Sequence, residues 1–214
     1  VMLFYIGWLK LDDLKKFRQL GSKTPGHPEK DLTPGVEATT GPLGQGVGNA
    51  VGMALAEKIL SEKFGSEIIN HFTYVLHGDG DIQEPVAQGS IACAGHWGKV
   101  SRSDSTDYKK MYKSHGWHVQ VINGHNHDEI RNAIRIAQME VEKPSVIIGE
   151  TIMAYGTANM EGDHITHGAP LSHEEIRLTK EKLGLDPDKL FQISDKVLDD
   201  FRASYKYAKQ EVES

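Results

Sequence analysis

The triplet Gly78-Asp79-Gly80 has residue types that suit a metal-bound phosphate group. Flanking glycines allow a diphosphate to approach the backbone. The Asp79 carboxylate supplies the oxygen ligand that Mg²⁺ prefers and often shares with phosphate. The triplet follows an apolar run at 72–76, and ligands of open α/β sheets gather where the strands end. A Gly-Asp-Gly sequence is more often a simple turn, so the triplet alone is a weak indication of function.

Two histidine-bearing loops could contact a polar ligand. His27 lies in the loop 21–42, whose backbone N–H groups could line a ligand together with the imidazole; alternatively, the loop is only the capped entry to a helix. His164 and His167 lie in the loop 154–170, but no cysteine or third histidine accompanies them at zinc spacing. One or both could instead contact a substrate or a diphosphate, although a loop histidine is usually just solvated.

The hydrophobic pattern predicts the elements that would position these residues. Short β-type runs alternate with stretches whose apolar residues recur at helical spacing. Strands are predicted at 72–76, 117–122 and 145–148, and helices at 1–9, 11–19, 42–59, 83–97, 127–141 and 172–183. This alternation predicts an α/β fold built on a parallel sheet.

The helix that follows Pro42 contains three internal glycines, Gly46, Gly48 and Gly52. Proline suits the first position of a helix, so Pro42 is predicted to start it. Each internal glycine costs up to about 1 kcal/mol relative to alanine. The glycines therefore indicate that another element packs very close to this helix.

Composition excludes several classes of partner. The net charge is −6 with no basic stripe, which argues against nucleic acid. No apolar run approaches the roughly 18 residues of a membrane span. Cys93 is the single cysteine, which excludes an internal disulfide and fits a reducing cytoplasm. We predict that Cys93 is a small core residue, and we assign no function to the four histidines between residues 115 and 127.

Two long segments resemble signature stretches of the transketolases. Residues 17–29 read FRQLGSKTPGHPE, and residues 33–46 read TPGVEATTGPLGQG. Three further matches follow in the order in which the family has them, at 49–54, 78–80 and 167–171. The resemblance runs from residue 1 to about residue 185 and does not depend on the short triplet.

The resemblance implies a thiamine diphosphate-binding fold, namely the diphosphate-binding domain with helices on both faces of a parallel sheet. In that family domain, Asp79 binds the divalent metal, Mg²⁺ or Ca²⁺, and Gly80 lies beside the diphosphate. Gly41 and Leu43 would contact the aminopyrimidine and the ring of the cofactor.

The resemblance also implies roles around the substrate. His27 and His167 would lie near the thiazolium and the oxygens of the donor sugar, with His167 contacting the cofactor as well. Glu84 would be a carboxylate at the subunit interface that links paired cofactor sites. A histidine suits proton transfer because its ordinary pKa lies near neutrality.

The implied activity is transfer of a two-carbon ketol unit between sugar phosphates, as in the pentose phosphate pathway. The implied partners are a pyrimidine-binding domain, in the same chain or in a partner chain, and a second copy in a homodimer. Alternatives are one subunit of a split transketolase, a related enzyme such as a dihydroxyacetone synthase, or a degenerate non-catalytic domain kept for assembly.

The sequence departs from the family pattern in several places. After His96 the family continues into a strand whose asparagine also binds the metal, whereas here residues 97–100 lead directly to Ser101. We expect an interruption between 100 and 101, because deletion of a central strand would disrupt the sheet. We therefore expect 1–214 to be a single diphosphate-binding domain, truncated at its N-terminus and interrupted near 100/101.

Two further departures lie close to the triplet. Pro85 follows Glu84 where relatives usually have glycine, and a second glutamate that the family has near position 89 is absent. Asp81 is unusual after the motif glycine and adds negative charge beside a diphosphate. An upstream region that carries two further active-site histidines is also absent.

Overall fold

A computed structural model of the chain describes residues 1–96 and 107–213. The chain divides into two compact units, Pro42–Tyr155 and the combination of Val1–Gly41 with Gly156–Ser214. The helices within the described residues are α1 Met2–Tyr5, α2 Leu11–Lys15, α3 Gln45–Phe64, α4 Asp79–Gln83, α5 Pro85–His96, α6 Tyr108–Ser114, α7 His127–Met139, α8 His173–Lys182 and α9 Asp195–Glu213. The strands are β1 His118–Asn123 and β2 Ser145–Glu150, and a 3₁₀ helix spans His164–His167.

The predicted parallel α/β arrangement is confirmed. Strands β1 and β2 pair in parallel, with Val121 opposite Ile148. The helix α7 connects them, as a parallel crossover requires. Asn126 caps the start of α7, because its side-chain oxygen accepts hydrogen bonds from the first-turn backbone.

The strand predicted at 72–76 is wrong for the described structure. These residues have no hydrogen-bonded strand neighbour within the described ranges, and Leu76 is 101% exposed. A β-type sequence becomes a strand only when a neighbour satisfies its backbone N–H and C=O groups. The expected interruption between Val100 and Ser101 lies outside the described residues.

The start of α3 also differs from the prediction. The helix begins at Gln45 rather than at Pro42, because its N-cap Gly44 adopts a left-handed conformation with φ +78°. The close packing predicted from the glycines holds at Gly48, where a Cβ would lie 3.2 Å from Oγ of Ser90 on α5. It does not hold at Gly52, where a Cβ would meet no described atom within 4 Å.

The helix predicted at 83–97 is confirmed as α5, Pro85–His96 in the described residues, whereas the short α4, Asp79–Gln83, was not predicted and is separated from α5 at Glu84. The backbone of Glu84 is extended, with φ −73° and ψ 137°, and Pro85 begins α5. Residues that precede proline disfavour helical geometry, which accounts for the break. Cys93 on α5 is exposed, so its predicted place in the core is wrong.

The core of the unit Pro42–Tyr155 consists of buried side chains from the helices and from β2. They are Val47, Ile82, Ala87, Ile91, Met111, Tyr112 and Val146. Ile82 on α4 belongs to this core, so burial of its side chain anchors the short helix that carries the Gly-Asp-Gly triplet.

In the other unit, aromatic residues near the start of the chain contact aromatic residues of α9 near its end. Tyr5 stacks on Phe201 of α9 at 5.0 Å between ring centroids, and Trp8 Nε1 donates a hydrogen bond of 2.8 Å to Tyr205 Oη. The sequence pattern did not predict α9. No helix among the described residues has the length and apolar character needed to cross a membrane.

Candidate functional site

The Gly-Asp-Gly triplet forms the start of α4. Gly78 is the N-cap and Asp79 is the first helical residue. The Asp79 side chain is exposed, and within the described residues it forms no hydrogen bond or ion pair with the protein. Its carboxylate is therefore available to a ligand at a helix N-terminus.

The donor set around Asp79 fits a metal that is shared with a phosphate. No group of three histidine, cysteine or acidic side chains that could hold a metal occurs among the described residues. Mg²⁺ is commonly held by one or two carboxylates together with substrate phosphates and water, rather than by a cage of protein ligands. One free carboxylate on a glycine turn suits that manner of binding.

Asp81 connects the triplet to the start of α3. Its Oδ2 accepts a hydrogen bond of 3.0 Å from Gly78 N, and its Oδ1 accepts one of 2.9 Å from Gly44 N. The hydrogen bond from Gly44, followed by that from Gly78, lowers the pKa of Asp81 below its ordinary value. One ionised side chain thus joins the N-terminal ends of two helices.

The predicted residues Leu43, Gly80 and Glu84 lie around this junction. A Cβ at Gly80 would lie 3.9 Å from Cδ1 of Leu43, so the backbone of Gly80 and the side chain of Leu43 are neighbours. A Cβ at Gly44 would lie only 2.7 Å from Cβ of Glu84. Leu43 is 54% exposed, which leaves an apolar surface next to the turn.

A histidine and a tyrosine support the turn from its other side. His77 Nε2 lies 3.2 Å from Tyr112 Oη, and His77 Nδ1 lies 3.2 Å from the Gly78 carbonyl oxygen. Burial raises the pKa of Tyr112 to about 12, so its hydroxyl is neutral and can donate to Nε2. Nδ1–H can then donate to Gly78, which fixes the tautomer. The sequence pattern gave these two residues no role.

His27 and Gly41, from the unit that contains both chain ends, are in direct contact. Gly41 has φ +141°, and a Cβ there would lie 2.6 Å from Cγ of His27. Thr40 N also donates a hydrogen bond of 3.3 Å to the Pro28 carbonyl, which closes the loop around the imidazole. Glycine at 41 therefore makes the space that the His27 ring occupies.

The exposed His27 ring borders an open hollow of about 520 Å³. The lining comes from the segment 18–32 and includes the guanidinium-bearing Arg18, which lies against Gly26. Within the described residues the His27 ring forms no hydrogen bond. The imidazole is thus accessible from the hollow.

His167 ends the 3₁₀ helix and is exposed. Asp163 starts this helix and accepts a hydrogen bond of 2.9 Å from Ile165 N. The preceding loop is fixed by the buried Glu175, whose Oε1 accepts 2.8 Å from Asn159 N and whose Oε2 accepts 3.1 Å from Asn159 Nδ2. These hydrogen bonds lower the pKa of Glu175.

A second hollow, of about 340 Å³, lies where β1 and β2 end. His125 Nε2 accepts a hydrogen bond of 2.7 Å from Ile152 N, and its ring stacks on Tyr155 at 4.0 Å between centroids. His125, which had no predicted function, therefore fixes the loop after β2. It was not recognisable from sequence because Ile152 lies 27 residues away.

The predicted site residues fall into local groups. His27 contacts Gly41 in one unit, and Leu43 contacts Gly80 in the other. Asp79 lies next to Gly80 in the same helix turn. His167 lies in the unit that contains His27, without a described contact to it. The individual roles of these residues remain predictions.

Comparison with known sequences identifies the family. The sequence model described as "Transketolase, thiamine diphosphate binding domain" matches residues 1–99 and 97–214. The chain therefore belongs to the family of transketolase thiamine diphosphate-binding domains.

Its relatives include whole transketolases. A transketolase of Staphylococcus epidermidis is 42% identical over 224 residues, covering 95% of this chain and 34% of the relative. Transketolase 1 of Vibrio cholerae is 45% identical over 197 residues, covering 82% of this chain and 30% of the relative. The chain thus spans about a third of the length of these curated relatives.

Solved structures confirm the fold. The transketolase of Campylobacter jejuni superposes with a TM-score of 0.90 at 38% identity, covering 98% of this chain and 36% of that one. The transketolase of Leishmania mexicana superposes with a TM-score of 0.89, also at 38% identity, covering 98% of this chain and 34% of that one.

Proposed function

We propose that this chain is the diphosphate-binding part of a transketolase that transfers a two-carbon ketol unit between sugar phosphates. The observation that carries the proposal is the free Asp79 carboxylate on a glycine turn, with Gly80 beside exposed Leu43, in a member of this family. The cofactor would be thiamine diphosphate with Mg²⁺, or Ca²⁺ in its place.

The residues have distinct tasks in this proposal. Asp79 would hold the metal, and the open backbone at Gly80 would admit the diphosphate. Leu43 and Gly41 would bound the cofactor rings. When bound, thiamine diphosphate supplies an electron sink for carbon–carbon bond cleavage.

His27 and His167 would exchange protons with the oxygens of the donor sugar. Both are exposed histidines on loops, and the ordinary pKa of histidine suits proton transfer near neutral pH. Gly41 leaves room for the His27 ring, and Glu175 holds the loop that leads to His167. The contact with Gly41 thus limits the positions available to the His27 imidazole.

We further propose that a pyrimidine-binding domain, in the same chain or in a partner chain, completes the site, and that the protein is a cytoplasmic homodimer of the pentose phosphate pathway. Glu84 would lie at the subunit interface. Supporting observations are that the relatives extend well beyond this chain and that Glu84 is only partly exposed.

The complete gene is proposed to encode a further strand and a metal-binding asparagine near 100/101, within one diphosphate-binding domain. The family model matches in two pieces, residues 1–99 and 97–214, which overlap at 97–99. The alignment with the Staphylococcus epidermidis relative runs over 224 positions, whereas 95% of the 214 residues of this chain is about 203 residues. About 20 positions of the relative therefore have no counterpart in this chain. The exposed apolar run 72–76 would be a natural neighbour for such a strand.

Calorimetry on the full-length protein tests the central assignment. Asp79→Ala is expected to abolish binding of thiamine diphosphate in the presence of Mg²⁺, because a carboxylate ligand to the metal is lost. Asp128→Ala is a matched control, since Asp128 is also an exposed aspartate in the first turn of a helix in the same unit. Unchanged affinity in Asp79→Ala would refute the assignment.

Activity assays separate the alternatives. Ketol transfer between sugar phosphates by the full-length protein alone supports a transketolase, whereas activity only after a second polypeptide is added supports a split enzyme. Preference for formaldehyde as acceptor would favour a dihydroxyacetone synthase. Absence of cofactor binding by the complete protein would favour the degenerate assembly domain.

A further inference from the structure

We propose that Asp81 is a positioning residue that ties together the two backbone segments expected to contact thiamine diphosphate. The inference rests on the proposed function. It concerns the junction between the turn Gly78–Gly80 at the start of α4 and the segment Leu43–Gly44 at the start of α3.

The geometry of the junction is specific. One carboxylate oxygen of Asp81 accepts from Gly78 N at 3.0 Å, and the other accepts from Gly44 N at 2.9 Å. The two donors are 34 residues apart in sequence, and both belong to glycines at helix N-caps. Hydrogen bonds from backbone N–H to an ionised carboxylate are stronger than those between neutral groups.

The segments that Asp81 joins carry predicted cofactor residues. Asp79 and Gly80 follow directly after Gly78, and Leu43 directly precedes Gly44. The Leu43 side chain already lies beside Gly80. Without the hydrogen bonds to Asp81, the Leu43 side chain and the turn Gly78–Gly80 could therefore move apart.

The two hydrogen bonds that Asp81 accepts also explain why a second aspartate can follow the triplet. A free carboxylate beside a diphosphate would repel it, whereas the charge of Asp81 faces two backbone N–H dipoles at helix N-termini, where negative charge is stabilised. Both Asp81 oxygens are engaged by the backbone, while Asp79 forms no such bond among the described residues. The two neighbouring aspartates thus have separate tasks, with Asp79 free for the metal and Asp81 committed to the fold of the site.

Glycine at position 44 is required by the same junction. Its φ of +78° is left-handed, and a Cβ would lie 2.7 Å from Cβ of Glu84. Because any larger residue would push the Gly44 amide away from Asp81, the absence of a side chain at 44 and the carboxylate at 81 act together. Since Glu84 lies against Gly44, the bridge also restricts the position of the proposed interface carboxylate.

The test compares Asp81→Ala, Asp81→Asn and Asn126→Ala in the full-length protein. Asn126 is a matched control, because its side-chain oxygen accepts from two backbone N–H groups at the start of α7 in the same unit, at 3.0 and 3.2 Å. Hydrogen–deuterium exchange without cofactor is followed at the Gly44 and Gly78 amides. Thiamine diphosphate binding is measured by calorimetry with Mg²⁺ and again with Ca²⁺.

We expect Asp81→Ala to speed exchange at both amides at least about tenfold and to weaken cofactor binding about tenfold, as loss of two charge-assisted hydrogen bonds predicts. Asp81→Asn keeps one acceptor oxygen and should recover part of the affinity. The ratio of the affinities measured with Mg²⁺ and with Ca²⁺ should not change. Asn126→Ala should leave exchange at Gly44 and Gly78 and cofactor affinity as in the wild type.

Unchanged exchange at Gly44 and Gly78 in Asp81→Ala would overturn the inference while leaving the proposed function intact. A changed ratio between the two metals would also overturn it, because Asp81 would then be a metal ligand. Equal losses of affinity in Asp81→Ala and Asn126→Ala would reduce Asp81 to a general stabilising role. If the wild-type protein fails to bind thiamine diphosphate, the proposed function fails and the role of Asp81 toward the cofactor fails with it.

Discussion

The contact between Gly41 and His27 gives a prediction in which a single methyl group disturbs a candidate catalytic residue. In Gly41→Ala the new Cβ would lie 2.6 Å from Cγ of His27 and 2.9 Å from both Cβ and Cδ2. Real Cβ atoms essentially never come this close to another heavy atom. The His27 side chain must therefore shift from the position that it has beside the hollow.

The magnitude has two parts. The φ of +141° at Gly41 is strained for any L-residue, which costs on the order of 1–3 kcal/mol. Displacement of the ring adds to that cost and removes the proposed proton transfer, an effect typically worth about 10²–10⁴ in rate. We expect Gly41→Ala to lower the rate of ketol transfer at least about tenfold and to approach the rate of His27→Ala.

Steady-state kinetics and thermal unfolding of the full-length variants measure these effects. The double variant Gly41→Ala/His27→Ala is assayed at saturating thiamine diphosphate, so that a weaker cofactor contact at position 41 does not limit the rate. It should then transfer about as slowly as His27→Ala, because the ring that Gly41 accommodates is already absent. It should also recover part of the stability lost in Gly41→Ala, which a double-mutant cycle quantifies.

Gly184→Ala is the control for backbone strain. Gly184 has φ +70° in the same unit, and a Cβ there would meet nothing within 4 Å. Its substitution should lower Tm but leave the transfer rate unchanged. A normal transfer rate in Gly41→Ala, or fully additive rate losses in the double variant, would refute the reasoning.

The further predictions concern three other residues, Glu175, Tyr112 and His167. The hydrogen bonds from Asn159 lower the pKa of Glu175, so the ionised carboxylate contributes its full stabilisation above its ordinary pKa of 4.5 and loses it as the pH falls through the lower pKa of the folded state. Glu175→Gln should therefore flatten the dependence of Tm on pH in that acidic range. An unaltered profile of Tm against pH would contradict this. Tyr112→Phe should cost about 0.5–1.5 kcal/mol through loss of the hydrogen bond with His77. Burial raises the pKa of Tyr112 to about 12, so the contribution of Tyr112 to the free energy of unfolding should fall as the pH rises from 10 to 12. If ultraviolet absorbance showed Tyr112 ionising near pH 10, the raised pKa would be contradicted. His167→Ala should slow transfer with less effect on cofactor affinity, so a rate equal to wild type would exclude its role.

The sequence alone determined the elements whose pattern is local. The crossover from β1 through α7 to β2 was predicted because apolar runs and helical periodicity report burial one turn or one strand at a time. The resemblance to the family was found from the long contiguous segments 17–29 and 33–46, which were recognisable before any contact was known. The closeness of Gly48 to another helix was also predicted, since an internal glycine in a helix indicates a near neighbour.

The tertiary structure decided what depends on distant neighbours. The β-type run 72–76 is not a strand in the described structure, since it lacks a hydrogen-bonded neighbour, and Cys93 is exposed despite its apolar helix. The helix start at Gln45 depends on the left-handed Gly44, whose amide is held by Asp81 from 37 residues away. Composition and periodicity cannot reveal such a contact, because a carboxylate looks the same in sequence whether its oxygens meet water, metal or two backbone amides. In the sequence Asp81 was only an unexpected negative charge. The structure shows that its carboxylate accepts hydrogen bonds from the N–H groups of Gly44 and Gly78.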